Sequence, residues 1–251
     1  MVEKSILAIS VLTTSYLLKP SDEAFGVTLS ANCRIGIGNV VVRQNETIVL
    51  IDELRASSTV VTACALGVEE ILPVLDDAMA MELQHHGVVI AGEQGCLKIE
   101  GYDIGNSPVE LTRRFAQTPF SKLALKTTNF IPLLLKLPHA IICSSLNLAA
   151  VARAVKNRSL CIIAAGGTYG VAEDCGVALG LAAAVSGATF EPEAVIACIS
   201  ESAAAHNLRA KGLGYDVDFI ARLNVYEVVP YYDGKVIRKS CPVQSQSSFW
   251  R

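Results

Sequence analysis

The stretch Gly92–Pro108, Gly-Glu-Gln-Gly-Cys-Leu-Lys-Ile-Glu-Gly-Tyr-Asp-Ile-Gly-Asn-Ser-Pro, holds the densest collection of residues able to do chemistry. Glu93, Glu100 and Asp103 offer carboxylates, Lys98 a cation and Asn106 an amide. Gly92, Gly95, Gly101 and Gly105 free the backbone to turn or to approach a ligand closely. Acids and a lysine on a glycine-rich loop suit a metal or phosphate site. A solvated connector is the competing reading.

Four further polar groups stand directly after apolar runs. They are Asp52 with Arg55, Thr127-Thr128-Asn129, Ser145 with Asn147, and Thr168 with Glu173 and Asp174. In open α/β sheets ligands bind at the carboxyl ends of strands, so five such loops predict one polar site. Its carboxylates and hydroxyls are hard oxygen donors, which suit Mg²⁺ better than zinc. No His-Glu-x-x-His spacing, Gly-x-Ser-x-Gly elbow, Walker A loop or Gly-x-Gly-x-x-Gly is present.

The apolar runs supply the elements that must position these groups. Residues 47–52, 69–75, 88–91, 122–126, 140–143 and 160–165 read as strands, and helical patterns separate most of them. Ser57 or Ser58 caps the first helix and Gly67 closes it. Ser107-Pro108-Val109-Glu110 reads as a capping box. Glu173-Asp174 opens an alanine-rich helix to Gly187, and another helix spans Pro192–Ala205. Asn224–Val229 and Lys235–Lys239 flank Asp233-Gly234, which predicts a hairpin added at a sheet edge. Residues 1–18 read as strand-like, Lys19–Asn39 as an irregular connection and Cys241–Arg251 as a loose tail. The class is α/β: three layers, a mostly parallel or mixed sheet, and an antiparallel C-terminal hairpin. The expectation is one domain over residues 1–251, with room for two lobes and with residues 1–40 as a divergent N-terminal arm.

Hydrophobic residues make up 51% of the chain and aromatics only 6%, a palette suited to buried strands under small-residue helices. The net charge is −3 with no basic block, so no nucleic-acid partner is expected. No run is long enough to cross a bilayer, so no membrane partner is expected either. The run Ile6–Leu12 after Lys4 loosely resembles a signal peptide but lacks a clear cleavage site, so a first strand is the preferred reading. The eight cysteines form no Cys-x-x-Cys and several sit in apolar runs, which favours reduced thiols and a cytoplasmic protein. So apolar a chain could also bury a homodimer face.

Longer motifs carry a family resemblance. Ile51-Asp52-Glu53-Leu54-Arg55-Ala56-Ser57-Ser58-Thr59 resembles the Asp-Val-Leu-Arg-Ala-Ser-Thr-Thr motif of the 2-phosphosulfolactate phosphatase (ComB-like) family. Lys98–Pro108 is similar to that family's Lys-Ile-Glu-Gly-Phe-Asp-x-Gly-Asn-Ser-Pro. Thr127-Thr128-Asn129, Leu146–Ala152, Glu173-Asp174 and His206 through Leu213-Gly214-Tyr215 to Asp218 fall in family order. The resemblance runs from about residue 47 to residue 238. It implies an α/β, Mg²⁺-dependent phosphatase that releases phosphate from a small phosphorylated organic acid, 2-phosphosulfolactate, on the way to coenzyme M. The sequence departs from the family pattern at Gln94 and Tyr169, where arginines are expected, and at Cys96 and Phe130, where glycines are expected.

Asp52, Arg55, Glu93 and Lys98 are then the candidate catalytic residues. Asp52, Glu93 and Asp174 would hold the metal, while Arg55 and Lys98 neutralise phosphoryl oxygens. Ser57, Asn106, Thr127, Thr128, Asn129 and Asn147 would bind substrate. Two other readings stand beside this one: a non-catalytic relative that binds a small anion or a partner, and a thiol enzyme using Cys96.

Overall fold

Apolar side chains at successive strand positions decide the centre of the molecule. The computed structural model describes residues 32–239 together with the paired strands β1 (Glu23–Ala24) and β2 (Val27–Thr28). Residues 1–18 and the tail from 241 lie outside the described residues. In β4 (Thr47–Ile51), Ile48 and Leu50 enter one core while Val49 and Ile51 enter a second. In β10 (Leu160–Ala164), Cys161 and Ile163 face the first core, and Leu160, Ile162 and Ala164 the second.

A sheet apolar on both faces needs cover on both. Helix α1 (Ala56–Leu66) fills the first core with Ala56, Val60, Val61 and Cys64. Helices α5 (Leu148–Val155), α6 (Ala172–Ser186) and α7 (Pro192–Ser200) fill the second through Leu148, Val151, Leu181 and Ile199. The result is the expected α/β layering.

Among the described residues the main sheet has ten strands, in the order β3-β10-β4-β9-β11-β12-β5-β8-β6-β7. The strands not yet placed are β3 (Cys33–Ile37), β5 (Glu70–Pro73), β6 (Val89–Gln94), β7 (Leu97–Lys98), β8 (Lys122–Lys126), β9 (Ala140–Ile142), β11 (Pro230–Tyr232) and β12 (Ile237–Lys239). One parallel block is β3-β10-β4-β9 and the other is β5-β8-β6. The hairpin β11–β12 joins them by antiparallel pairing on both sides. Three successive reversals make the second block run against the first. Twist between neighbouring strands is about 20–25°, and six steps separate β4 from β6. That turns one against the other by roughly 120–150°. The accumulated twist undoes most of the reversal, so the carboxyl ends of both blocks can reach one place.

Several expectations change. The hairpin is not an edge addition but the link between the two blocks; its turn is closed by Asp233 N–H to Val236 O at 3.2 Å. Lys19–Asn39 is not wholly irregular, because Cys33–Ile37 is a fully buried strand. Arg34 hid it by breaking the apolar run, yet its guanidinium is satisfied by Glu46 at 2.5 Å. The Pro192–Ala205 helix is two helices, because Ser202 stops α7 and caps α8 (Ala203–Ala210), accepting from Ala205 N–H at 3.0 Å. Ser57 and Ser58 do not cap α1; both lie inside it and bond back to Asp52 N–H and Glu53 O. Gly67 closes that helix as expected, with φ of 104°. The remaining helices are α2 (Asp77–His85), α3 (Pro108–Gln117), α4 (Phe130–Leu134) and α9 (Gly214–Ile220).

Candidate active site

Four of the five strand-end loops meet in one cavity of about 150 Å³. The β4 loop contributes Asp52, Leu54 and Arg55, and the β6 loop contributes Glu93, Gly95 and Cys96, with Asn106 farther on. Thr127, Thr128 and Asn129 arrive from β8, and Gly166–Gly170 with Glu173 and Asp174 from β10. Helix α8 adds Ala204, Asn207 and Leu208 as one face at helical spacing.

The backbone around the cavity is held by its own acids. Asp174 accepts from Glu53 N–H at 2.6 Å and from Gly166 N–H at 2.8 Å, so it ties the β4 loop to the β10 loop. Glu93 accepts from Cys96 N–H at 2.8 Å and Thr128 N–H at 2.7 Å, tying the β6 turn to the β8 loop. The two blocks are linked where Asn129 passes Gly167; a Cβ on Gly167 would stand 2.5 Å from its Nδ2. A side chain at 167 would require the Asn129 amide to move aside.

Arg55 reaches the cavity from the start of α1. Its Nη1 donates to Asp216 at 2.7 Å and its Nη2 to the Cys96 carbonyl at 2.5 Å. Of the four buried side-chain oxygens without a partner among the described residues, two belong to lining residues, Glu173 Oε2 and Asn106 Oδ1.

The electrostatics follow from this crowding. Burial, with the Glu93 charge adding, pushes the Asp52 carboxyl up to about 7. Burial likewise raises Glu173 to about 7, with Asp52 adding. Asp174 is raised well above the usual carboxylate value by burial, then by Glu173 and Asp52. These acids repel one another and are short of cations.

Their donors fit a hard divalent ion: all are oxygen, several are anionic and two are orphaned. Among the described residues no three His, Cys, Asp or Glu side chains stand ready to hold a metal.

Three sequence candidates lie outside the cavity lining. Lys98 is exposed on β7, and its Nζ donates to the Tyr102 carbonyl at 3.2 Å. Ser57 is fully buried and accepts from Asp52 N–H at 2.8 Å, so it fixes the loop behind Asp52. Asn147 is fully buried as well; its side chain accepts from Ser144 N–H and donates to the Ile142 and Val228 carbonyls. The fifth loop thus forms a layer beneath the site. Ser145 in that loop donates from N–H and Oγ to the buried Glu53, whose carboxyl burial raises to about 8.

Sequence reasoning placed Glu173 in a site loop without giving it a role, and it did not select Asn207 or Asp216. Glu173 is adjacent to Asp174 in an acid pair, and only the direction of the helix decides which carboxyl keeps a free oxygen. Asn207 follows His206, and an alanine-rich face signals packing rather than a wall. Asp216 sits two residues before Asp218, and no spacing distinguishes them; Asp218 meets Arg209 in an exposed pair. Cys96 lines the cavity, but burial and then Glu93 raise its thiol, the opposite of an activated nucleophile. The seven described cysteines are free thiols.

Comparisons with known proteins point the same way. The model of the family described as 2-phosphosulpholactate phosphatase matches residues 39–235. A probable 2-phosphosulfolactate phosphatase of Carboxydothermus hydrogenoformans is 30% identical over 217 residues, 74% of this chain and 86% of that protein. One from Clostridium botulinum is 28% identical over 222 residues, 78% of this chain and 92% of the relative. One from Thermotoga maritima reaches 36% identity over 126 residues, 49% of this chain; the match spans about half that relative's length, 55%. No helix among the described residues is long and apolar enough to cross a membrane.

Proposed function

The chain belongs to the 2-phosphosulpholactate phosphatase family, and from that premise we propose that it is a phosphoric monoester hydrolase. Its substrate is a small phosphorylated acid, 2-phosphosulfolactate by the relatives' names, and its products are sulfolactate and phosphate. The observation that carries this reading is that one cavity is lined together by Arg55, Asp52, Glu173 and Asn106, the last two each with an orphaned buried oxygen.

Asp52 and Glu173 would hold Mg²⁺, with Glu93 and Asp174 each keeping a lone pair per oxygen for its waters. Bound there, the ion supplies charge against the phosphoryl oxygens and polarises the phosphorus–oxygen bond. Arg55 offers its remaining N–H donors to the same oxygens, where charge builds during transfer. Asn106, Thr128 and Asn129 orient the ester from the cavity walls. Ala204, Leu208 and Leu54 line the side next to α8 and exclude water from the organic part of the substrate.

The test is phosphate release from 2-phosphosulfolactate by purified protein with Mg²⁺, repeated with EDTA. Release that EDTA abolishes and Mg²⁺ restores is expected. A folded protein that frees no phosphate across a panel of phosphate monoesters would sink the reading.

A further inference from the structure

The catalytic reading leaves one fully buried carboxylate beside the cavity without a task. Asp216 on α9 is wholly shielded from solvent. One of its oxygens, Oδ2, accepts from Arg55 Nη1 at 2.7 Å, and the other, Oδ1, accepts from Ser107 Oγ at 2.6 Å. Ser107 cannot turn away, because the same hydroxyl accepts from Glu110 N–H at 3.0 Å as the cap of α3. Its one proton is therefore committed to Asp216.

We propose that Asp216 is a positioning residue: itself held by Ser107, it aims the Arg55 guanidinium into the cavity. This rests on the phosphatase reading for the role of Arg55. The arrangement explains why a carboxylate is needed. Arg55 and Ser107 donate to different oxygens of Asp216, and the Val109 backbone N–H bonds it as well, so both oxygens must accept, and an asparagine would offer one acceptor and one donor. Its amide would meet either the guanidinium or Ser107 Oγ, whose proton would then lose the Asp216 oxygen that accepts it. It also explains the fixed plane of Arg55, whose second amino group is anchored by the Cys96 carbonyl in a turn with φ of 72°. A guanidinium held at two points keeps the rest of its five donors aligned for a phosphoryl group.

A double-mutant cycle tests this with Asp216→Asn, Arg55→Met and the pair, each checked for native circular dichroism. Arg55→Met is expected to lower kcat/KM by roughly 10²–10³. Asp216→Asn should lower it about 10- to 100-fold, mainly through kcat. In the Arg55→Met background the same change should cost less than about threefold, because there is no guanidinium left to aim. Losses that multiply in the pair would overturn the proposal and leave Asp216 a purely structural group.

The cycle is also read on the affinity for orthophosphate in the presence of Mg²⁺, by calorimetry. Coupled losses of orthophosphate affinity without any turnover would keep the positioning role and sink the phosphatase reading. Turnover with uncoupled losses would do the reverse, and a wild-type protein with neither turnover nor orthophosphate binding overturns both. If Asp216→Asn does not fold, Ser107→Ala removes one of the two anchors and leaves the ion pair. It should cost about three- to tenfold in kcat/KM, again only while Arg55 is present.

Discussion

Strand β4 has an arginine–carboxylate pair near each end, and the two differ in what they leave unsatisfied. At its amino end Arg34 on β3 meets both oxygens of Glu46, through Nε and Nη2, and Nη2 also reaches the Val41 carbonyl at 2.7 Å. Past its carboxyl end, about 17 Å away at ~3.3 Å per residue, Arg55 meets one oxygen of Asp216 and the Cys96 carbonyl. Both pairs are buried. The first is a forked contact whose acid also accepts from Arg43 N–H, and neither partner lines the cavity of the candidate site. The second is split among three partners and lines a cavity that also holds two orphaned oxygens. Burial and pairing alone therefore do not mark function in this molecule. A buried charge with donors to spare beside an opening does.

The largest effect that separates the two pairs is expected from Glu46→Gln. A buried cation that loses its partner costs about 3–5 kcal/mol, read as a lower midpoint in urea unfolding. Turnover by the folded variant should be unchanged, since the pair is remote from the cavity lining. The pH dependence has a definite sign. Burial raises the Glu46 carboxyl, but the Arg34 and Arg43 hydrogen bonds outweigh it, and the net value lies below the ordinary 4.5. A lowered folded-state value means that the contribution is full above about 4.5 and is lost as pH falls through the folded value. The stability gap between wild type and Glu46→Gln should thus be widest near neutrality and narrow in acid. A gap independent of pH would show that the Glu46 charge is not what holds Arg34.

Asn106→Ala sharpens the other half of the comparison. Its Oδ1 has no partner in the fold, so its removal should leave the melting temperature nearly unchanged. Loss of a substrate or metal-water contact should lower kcat/KM by about tenfold, or ~1.4 kcal/mol. A large drop in stability with intact kcat/KM would mean that the amide serves the loop, as Ser107 does, rather than the ligand.

The sequence makes these two ends of β4 unequally visible. Asp52 and Arg55 stand after an apolar run, where a strand-end rule finds them. Glu46 precedes the run and Arg34 interrupts another, so the same rule reads both as connector. The two parallel blocks are legible for a related reason: their strands are continuous apolar segments, and burial on both faces is written in their composition. The hairpin is different. Asp233-Gly234 announces a turn, but nothing local says that β9 and β5 will flank it, because those partners are fixed by pairings distant in the chain. The site divides in the same way. Glu93, Thr127 and Asp174 were legible as strand-end polar groups, whereas Asp216 and Asn207 come from helices late in the chain that reach the cavity only through packing. Asn147 was misleading because its position after β9 fits the rule, while its side chain is consumed by the Ser144 cap and the Val228 carbonyl.

Lys98 supplies the smallest expected effect and a direct probe of whether a cation near the site is a cation in it. It stands opposite Glu93 across the β6–β7 pairing, and Leu97 and Lys98 are both exposed. Its Nζ is occupied by the Tyr102 carbonyl in a part-buried contact. Lys98→Ala should change stability by less than about 0.5 kcal/mol, and kcat/KM should stay within about twofold at physiological salt. Arg55, by contrast, is already inside the cavity and neutralised by Asp216 only in part, because that acid is shared with Ser107. If Lys98→Ala instead lowers kcat/KM tenfold, the β6–β7 hairpin must fold over bound substrate and bring Lys98 with it. The β6 side of the cavity would then be its moving wall, and the β4 side, pinned by Asp174 and Asp216, its fixed one.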